Sequence, residues 1–566
     1  MSNEARPAGA TSGGGAGDLN IEQGGPNQRF RQLNDAGLDD KVLISEAQEG
    51  TRHEHSLGLV QGLKAYKRAA FWSVLISCTI IMEGYDVALL GSFFGYPQFR
   101  LKYGEYLNEE KGYQISSGWQ QAFNISSALA NILGALLNGY FTAKYGHRKV
   151  IMLSLAALAG FIFIVFFAPN IQTQLAGQIL CNIPWGVFAT TGPAYASEVT
   201  PLAIRGHLTA YVNLCWCIGQ FIGAGVLAGL VSREDEWSYK IPFAIQWVWP
   251  VPLFVAAWLA PESPWHLVRV NRLGDARRSL ERLSDPAEHP NLDETLAMMV
   301  QTNKMEMEER EGVTYWDAFR GTNLRRTEIA CVGFLSQITT GGALCYQGTF
   351  FFQQTGIPDR TAYYIGLAGT AIAFLGTCLS WAFIYKLGRR RIWLMGLSGL
   401  VAILWTIGFL ALPEQNLPLA WAQSLLCVVW LGVYSLTVGP IIYTLVAEIG
   451  STRLRTQTIV LARSTYYAGN IIGNGTLNPK MISPGDWNLK GKTAFFWASV
   501  ATLTLVWGYF RVFETKGRTF GELDTMFQRG VTARQSAKYK LEVDDMAMTK
   551  SKTNDSAPAV AESKQQ

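Results

Sequence analysis

The sequence predicts an all-α membrane protein whose twelve transmembrane helices form two six-helix halves. Three observations predict this fold class. Apolar stretches of about twenty residues recur along the chain, and a helix of that length crosses a bilayer core of about 30 Å. Basic residues gather in the turns on one side of the predicted bundle. Two short motifs of the first half return in the same order in the second half.

The composition separates this chain from soluble proteins. Its 566 residues are 49% hydrophobic and only 16% charged, whereas ordinary soluble domains carry about 25% charged residues. A large soluble core does not explain the apolar stretches, because core helices keep a charged face and these stretches have none. The net charge of +5 is spread over loops rather than along a stripe. We therefore expect a lipid bilayer around the chain and no nucleic acid partner.

The apolar stretches divide the chain into five regions. We expect a disordered N-terminal tail (1–66), a first six-helix half (67–261), a central loop with amphipathic helices (262–327), a second half (328–527) and a disordered C-terminal tail (528–566). The predicted helices cover 70–95, 117–141, 150–168, 173–197, 207–231, 242–260, 328–353, 362–385, 392–412, 419–447, 457–481 and 494–512.

The charges in the connecting turns predict the orientation of this bundle. The turns after predicted helices 2 and 8 are strongly basic, and the turns after helices 4 and 10 add further arginines. The turns on the opposite side are neutral or mixed in sign. Because basic loops stay on the cytoplasmic side, we expect both tails and the central loop to be cytoplasmic.

An internal duplication supports the helix count. A K-x-G-x-R motif follows predicted helices 2 and 8, and an acid and an arginine at identical spacing follow helices 4 and 10. Two motifs that return in order on the same side indicate a parallel repeat, related by an axis along the membrane normal. The first-half residues are Lys144, Arg148, Glu198 and Arg205, and their second-half counterparts are Lys386, Arg390, Glu448 and Arg455.

Longer motifs carry a family resemblance. They are PAYASEVTPLAIRG at 193–206, PESP at 261–264 and ETKGRTFGEL at 514–523. With these motifs, residues 70–527 resemble the sugar porter family of the major facilitator superfamily. Within that family, IPWGVF at 183–188 and NLCWCIGQ at 213–220 are similar to fungal α-glucoside (maltose-type) permeases. The resemblance implies the major facilitator fold, and it implies uptake of a sugar by alternating access.

The resemblance also implies a cytoplasmic gate made of the eight duplicated residues. In this family such groups form a salt-bridge lattice when the outside is open, and the lattice parts when the cytoplasmic side opens. Partly desolvated contacts between arginine and carboxylate suit this role, because they are strong and yet can exchange for water. The alternative is that these are surface pairs worth about 0–1 kcal/mol.

Three ionisable residues lie deep within the predicted helices. Glu83 and Asp86 in helix 1 are three residues apart and share one helical face, and Arg463 is in helix 11. A charge at this depth costs roughly 2.5–3.5 kcal/mol and therefore usually marks a substrate or proton path. One base can balance only one of the two acids, so the other could bind and release a proton, as a symporter requires. A static ion pair beside a permanently protonated acid is the alternative.

A sugar site needs amide groups for the hydroxyls and aromatic faces for the ring. Suitable side chains occur on the predicted helices that line the cavity, although each could instead make a hydrogen bond between helices. Gln178 takes the place where many sugar porters carry arginine and maltose-type relatives often carry an acid. The candidates are Gln178, Asn213, Gln220, Gln337, Tyr346, Gln347, Tyr443 and Asn470.

Four functions remain open. Proton symport of an α-glucoside such as maltose is the first, and an uncoupled facilitator for a hexose or polyol is the second. A sugar-sensing receptor and an exporter of a metabolite are the others. No nucleophile–base pair, phosphate loop or metal-ligand pattern occurs, so we expect no enzyme, no cofactor and no metal. We expect a functional monomer in the plasma membrane, with an internal membrane as the alternative.

Overall fold

The structure is a computed structural model that describes most of the chain. The described residues are 45–50, 52, 58–109, 112–285, 292–310, 315–414, 416–450, 454–516, 518 and 520–539. The greater part of both tails that the sequence predicts to be disordered lies outside the described residues.

Twelve helical segments form the bundle, which confirms the predicted fold class. Helices 1–6 are Lys67–Phe93, Ser117–Tyr145, His147–Phe166, Ile171–Val199, Leu202–Leu230 and Trp237–Leu259. Helix 7 has three pieces (Gly321–Thr339, Gly342–Tyr346, Gly348–Gln354), and helices 8–10 are Asp359–Lys386, Arg389–Leu410 and Leu417–Ile449. Helix 11 comprises Arg455–Asn470, Ile471–Leu477 and Asn478–Ile482, and helix 12 is Lys490–Arg511.

Short elements connect these helices. We call the side of the bundle that carries both tails the tail side, and the opposite side the far side. On the far side, Pro97–Tyr103 is helical, and the antiparallel strands β1 (Glu105–Asn108) and β2 (Gly112–Gln114) form a hairpin. On the tail side are the helices Leu59–Ala65, Pro264–Arg269, Leu273–Leu283, Leu292–Arg310, Tyr315–Phe319 and Phe520–Gln528.

Within the described residues, eight of the twelve helices are long and apolar enough to cross a membrane, judged by length and composition. Helices 2, 4, 7 and 11 are more polar. Their amide side chains form hydrogen bonds to other helices of the bundle or lie next to the space between the halves. On helix 2, Asn131 donates to Asn182 Oδ1 (3.2 Å) and Asn138 donates to Thr190 Oγ1 (2.8 Å). Such pairs satisfy polar groups that lipid could not.

Helices 7 and 11 depart from regular α geometry in the second half of the chain. Helix 7 breaks at Gly341, whose φ of +86° favours glycine; a Cβ there would also lie 3.0 Å from Leu404. Helix 11 contains the π-helical turn Ile471–Leu477. Irregular backbone is tolerated at membrane depth only where protein or water covers it. Leu404 and Trp497 of the second half cover Gly341, and Ile125 of helix 2 covers Gly475 in the π-helical turn.

Helix 7 begins at Gly321, seven residues earlier than the sequence predicts. The charged residues in its first two turns predict a loop by composition, but in the tertiary structure each of the three contacts a partner. Glu328 pairs with Arg511 of helix 12 (2.5 Å), Arg325 donates to Val531 O (2.9 Å), and Arg326 covers the ring of Phe527 (4.5 Å). The second half therefore includes 321–327 and continues beyond 527 to 539.

Each half packs around its own hydrophobic core, and the halves meet along two helix pairs. Helix 5 packs against helix 8, and helix 2 packs against the far-side part of helix 11. Between described residues, the hydrogen bonds that join the halves lie on the far side or near the centre of the bundle. These hydrogen bonds therefore close the central cavity between the halves on the far side, and none of them joins the halves on the tail side.

Candidate functional site

A network of polar contacts closes the far side of the central cavity. Arg100 forms an ion pair with Asp359 of helix 8 (3.1 Å). Gln353 of helix 7 donates both to Asp359 Oδ1 (2.8 Å) and to the carbonyl of Gly95 (2.9 Å). Tyr363 donates to a carbonyl at the end of helix 1 (2.7 Å). A Cβ at Gly95 would overlap the Gln353 amide, so this glycine permits the close approach of the two halves.

Asp359→Asn should loosen the far side. The pair with Arg100 is only partly exposed, so its loss should cost about 1 kcal/mol and shift the balance between states about five-fold towards the far-side-open form. Labelling of a cysteine placed in the far-side mouth should rise by that factor. Asp235→Asn is the matched control, because its exposed pair with Arg233 (2.8 Å) lies on the same side but within one half. Equal labelling of both variants would contradict the gate.

Asp86 is held inside the first half by two amide side chains. It is only 4% exposed. Gln178 of helix 4 donates to its Oδ2, and Gln246 of helix 6 donates to its Oδ1, both at 2.8 Å. An amide can serve either protonation state, because a carboxyl oxygen still accepts a hydrogen bond when the group is protonated. Gln178, which the sequence predicted to bind the sugar, therefore donates its amide hydrogen bond to Asp86 in the structure.

Glu83 faces the second half, unlike Asp86. It is half-buried, and among the described residues it makes no hydrogen bond or ion pair within 4.0 Å. Its charge interacts across the central cavity with that of Arg463 on helix 11. The structure thus assigns the two acids to different surroundings, although the sequence predicted a shared face.

Arg463 lies in a cage of four aromatic rings. Its guanidinium is 5.2 Å from the centroid of Phe334, 5.6 Å from Tyr443, and 5.7 Å from Tyr466 and Tyr467. It also donates a long hydrogen bond to Tyr443 Oη (3.5 Å). Cation–π contacts hold the charge without neutralising it, so Arg463 remains a cation facing Glu83. The sequence did not predict this cage, because its rings come from helices 7, 10 and 11.

The residues predicted to bind the sugar differ in their burial and in the hydrogen bonds that they already make within the protein. Asn213 is half-buried, and Gln220 is 7% exposed. Gln337 is tied to the backbone, since it donates to Gly439 O (3.2 Å). On the far-side part of the site, Gln347 Oε1 accepts from Asn478 (3.0 Å) and Asn470 Oδ1 accepts from Asn474. Tyr346 and Tyr443 are 40% and 43% exposed.

An aromatic cluster that the sequence did not single out accompanies these residues. Tyr346 has its ring edge towards Trp216 of helix 5 (6.5 Å) and towards Trp430 and Tyr434 of helix 10 (6.2 and 5.8 Å). Trp430 and Tyr434 are stacked at 5.1 Å, and the Trp430 indole donates to Thr340 O (3.1 Å). Their spacing of four residues on helix 10 was a usable signal. The cluster spans both halves.

The gate residues of the first half are paired within that half. Glu198 accepts hydrogen bonds from His147 Nε2 (3.0 Å), from Arg269 (2.7 Å) and from the hydroxyl of Ser263. Glu262 accepts from the backbone N–H of His147 (2.9 Å) at the start of helix 3, where a carboxylate is favoured.

The second half repeats this arrangement. Glu448 forms a two-point pair with Arg389 (3.0 and 3.2 Å) and accepts from Thr515 (2.5 Å). Glu514 accepts from the backbone N–H of Arg389 (2.8 Å) at the start of helix 9. The repeated dipeptides Glu262-Ser and Glu514-Thr were the signal for these partners.

Both acids are thus paired within their own halves, and the lattice that joins the halves and parts during the cycle stays a prediction. The other predicted gate residues make different contacts. Lys144 lies over the Tyr145 ring, Arg148 donates to Trp258 O, Arg205 to Thr200 O (3.4 Å), and Arg390 to Val512 O (2.9 Å). Lys386 is exposed and its carbonyl accepts from Lys516 (2.8 Å), and the side chain of Arg455 lies outside the described part of the chain.

A search of the described residues finds no group of three His, Cys, Asp or Glu side chains that could hold a metal ion. The two six-helix halves and the polar central cavity between them instead define a class of protein. This chain is a multi-pass membrane transporter of the major facilitator fold.

Comparison with known proteins gives the family. The family model described as "Sugar (and other) transporter" matches residues 72–527, and the chain belongs to this family. The general alpha-glucoside permease of Saccharomyces cerevisiae is 36% identical over 521 residues, which cover 89% of this chain and 84% of the relative. The maltose permease MAL61 of the same species is 35% identical over 542 residues, with 94% and 88% covered.

Solved structures show the same fold. The xylose transporter XylE from E. coli bound to 6-bromo-6-deoxy-D-glucose aligns with a TM-score of 0.64 at 17% identity, covering 82% of this chain and 100% of that one. The inward open conformation of XylE aligns with a TM-score of 0.59 at 18% identity, covering 80% and 98%.

Proposed function

We propose that this protein carries an α-glucoside such as maltose into the cell together with a proton, by alternating access. The names of the yeast relatives support the substrate class. The observation that carries the coupling is Asp86, a buried carboxyl group in the membrane that is held by two neutral amides. A group in such surroundings can change its protonation without breaking an ion pair.

The central cavity offers a neutral polar ligand what it needs. Aromatic rings that cross both halves, Trp216 and Tyr346 among them, provide flat apolar faces for a pyranose. Amides such as Asn213 and Gln220 provide hydrogen-bonding groups for its hydroxyls. A ligand that contacts both halves binds best when they close around it, so its binding energy favours the occluded state.

The two acids divide the work of coupling. Asp86 takes the proton inside the first half, while Glu83 and the caged Arg463 face each other across the cavity. Protonation of Asp86 removes a charge from the first half, which makes closure of the cavity around Glu83 and Arg463 less costly. Sugar and proton then favour the same closed state.

The test is uptake of labelled maltose and other sugars by cells that lack their own sugar transporters. Maltose uptake should rise as the external pH falls, addition of sugar should make the medium more alkaline, and a protonophore should prevent accumulation. Accumulation that persists in the protonophore would exclude proton coupling.

An uncoupled facilitator is the second candidate, and Gln178 favours it. This neutral amide leaves Asp86 without a basic partner on helix 4, so the carboxyl group could stay protonated throughout the cycle. Uptake that is independent of pH and reaches only equal concentrations on both sides would support the facilitator and overturn the symport.

We also propose that the protein acts as a monomer in the plasma membrane with both tails in the cytoplasm. The basic turns on the tail side support this orientation, and the structure then corresponds to an inward-facing state. Protease added to intact cells should leave an epitope on either tail uncut, whereas an epitope inserted in the turn between β1 and β2 should be removed. Cleavage of the N-terminal epitope from outside would reverse the orientation.

A further inference from the structure

A second cavity lies beside Asp86 within the first half. It has room for about one water molecule, and its polar wall consists of Asp86, Gln174 and Gln178. Leucine and phenylalanine side chains form the rest of the wall. The sugar proposal uses no part of this cavity apart from Asp86 and its partner Gln178.

Gln174 is the unexplained polar group of this cavity. It is 3% exposed, and its Oε1 has no hydrogen-bond partner among the described residues. It lies one helical turn from Gln178 on the same face of helix 4. An unpaired buried amide oxygen is costly, whereas a water in the cavity could bond to it. Each oxygen of Asp86 accepts only one amide hydrogen bond and can also accept one from that water.

Phenylalanine rings separate this cavity from the far side. Phe94 follows helix 1 and meets Phe123 of helix 2 edge to face at 6.0 Å. Phe93 is stacked on Phe99 of the far-side segment at 5.1 Å. All four rings are at most 3% exposed. We call these four residues the phenylalanine seal.

The seal is attached to the contacts that close the far side. Gly95, directly after Phe94, accepts the hydrogen bond of Gln353. Asn124, directly after Phe123, donates to Asn474 O of helix 11 (3.3 Å). Opening of the far side must break both contacts, so the same movement would loosen the rings above Asp86.

We propose that this cavity is the far-side proton entrance to Asp86, in which Gln174 positions the entering water and the phenylalanine seal closes the path while the tail side is open. The inference rests on the proposed symport. A hydronium ion gives one proton to a carboxylate oxygen of Asp86, and the remaining water stays hydrogen-bonded to Gln174. One O–H bond breaks on the ion and one forms on Asp86.

Few titratable groups surround this site. Glu83 and Tyr85 are on the same helix as Asp86, and Cys181 is on helix 4. Helix 6 contributes the neutral Gln246. Among the described residues, no basic side chain is hydrogen-bonded or ion-paired to Asp86, so no cation has to leave it when a proton arrives from water.

The first test is Gln174→Leu in the full-length protein, reconstituted in liposomes. Proton-driven accumulation of maltose should fall about ten-fold, as expected when a buried water loses its partner, while maltose counterflow exchange stays within about two-fold of wild type. Gln174→Asn, which retains the amide oxygen, should keep most of the accumulation. Leu90→Met, another change in the cavity wall, is the control. Unchanged accumulation in Gln174→Leu would overturn the positioning role.

The second test needs no sugar. Phe123→Ala should open the seal and let protons enter sugar-free liposomes under an inside-negative potential, as a pH-sensitive dye inside them would report. Adding Asp86→Asn should abolish this leak. Phe513→Ala, a buried change in the second half, should not leak. If Phe123→Ala does not fold, the same measurement is made on Phe94→Ala, which removes the other ring of the contact between Phe94 and Phe123.

The two tests separate the proposals. If wild type carries no proton with sugar, the symport is wrong, and the leak still decides whether the cavity leads to Asp86. If Phe123→Ala and Phe94→Ala bind sugar but do not leak, or if the leak survives Asp86→Asn, the cavity is not the proton entrance.

Discussion

Asp86→Asn should abolish proton-driven accumulation of sugar while downhill exchange continues. The asparagine fills the same space, and its oxygen can still accept from Gln178 or Gln246. The other glutamine can turn its amide and accept instead. The first half should therefore stay folded, but position 86 no longer carries a carboxyl group that can bind the coupling proton. Internal and external sugar concentrations should become equal, and the dependence of uptake on pH should disappear.

The measurement is uptake of labelled maltose across a series of external pH values, together with counterflow in preloaded cells. Gln120→Met is the control variant. It removes a buried amide of the first half at nearly unchanged side-chain volume and adds no charge, and it should leave accumulation intact. That amide donates to Ile115 O (2.9 Å). Persistent accumulation in Asp86→Asn would move the proton site to another residue, with Glu83 the first to test.

Arg463→Gln should impair every mode of transport, exchange included. The change removes the cation from its cage of four rings and leaves the charge of Glu83 unbalanced in the cavity. Removing one partner of a desolvated pair typically costs several kcal/mol, but these two groups are not in direct contact. We therefore expect a loss of about 2 kcal/mol, or roughly thirty-fold in exchange rate.

The structure indicates which second change should compensate. Glu83→Gln removes the acid that faces Arg463, so the double variant Glu83→Gln, Arg463→Gln should recover more exchange than Arg463→Gln alone. Asp86→Asn combined with Arg463→Gln should recover less, because Asp86 is bonded inside the first half. Counterflow rates of these variants at equal surface expression decide the matter. Equal recovery in both doubles would mean that the acids act as one site.

Several features of this protein follow from the sequence alone, because they depend on local patterns. The length of an apolar stretch determines whether it can span a bilayer, so the twelve helices could be counted. The repeated motifs showed the two halves, and the motifs at 193–206 and 514–523 indicated the family. Glu83, Asp86 and Arg463 stood out because charges inside apolar stretches are rare.

Other features depend on which helices meet, and only the tertiary structure decided them. Glu83 and Asp86 project only about 60° apart on helix 1, so their spacing predicts one face. Gln178 and Gln246 draw Asp86 into the first half, whereas the second half leaves Arg463 opposite Glu83. These partners lie about 90 to 380 positions away in the chain, and no local pattern records such contacts.

The partners of the two gate acids show the same limit of sequence-based prediction. Glu198 and Glu448 were recognised from the repeat, but their main partners are His147, Arg269 and Arg389, which sequence spacing did not indicate. The sequence determined which helices exist and where charge lies along them. Folding decided which charges meet, because burial and hydrogen bonding depend on distances in space, and positions along the chain do not specify those distances.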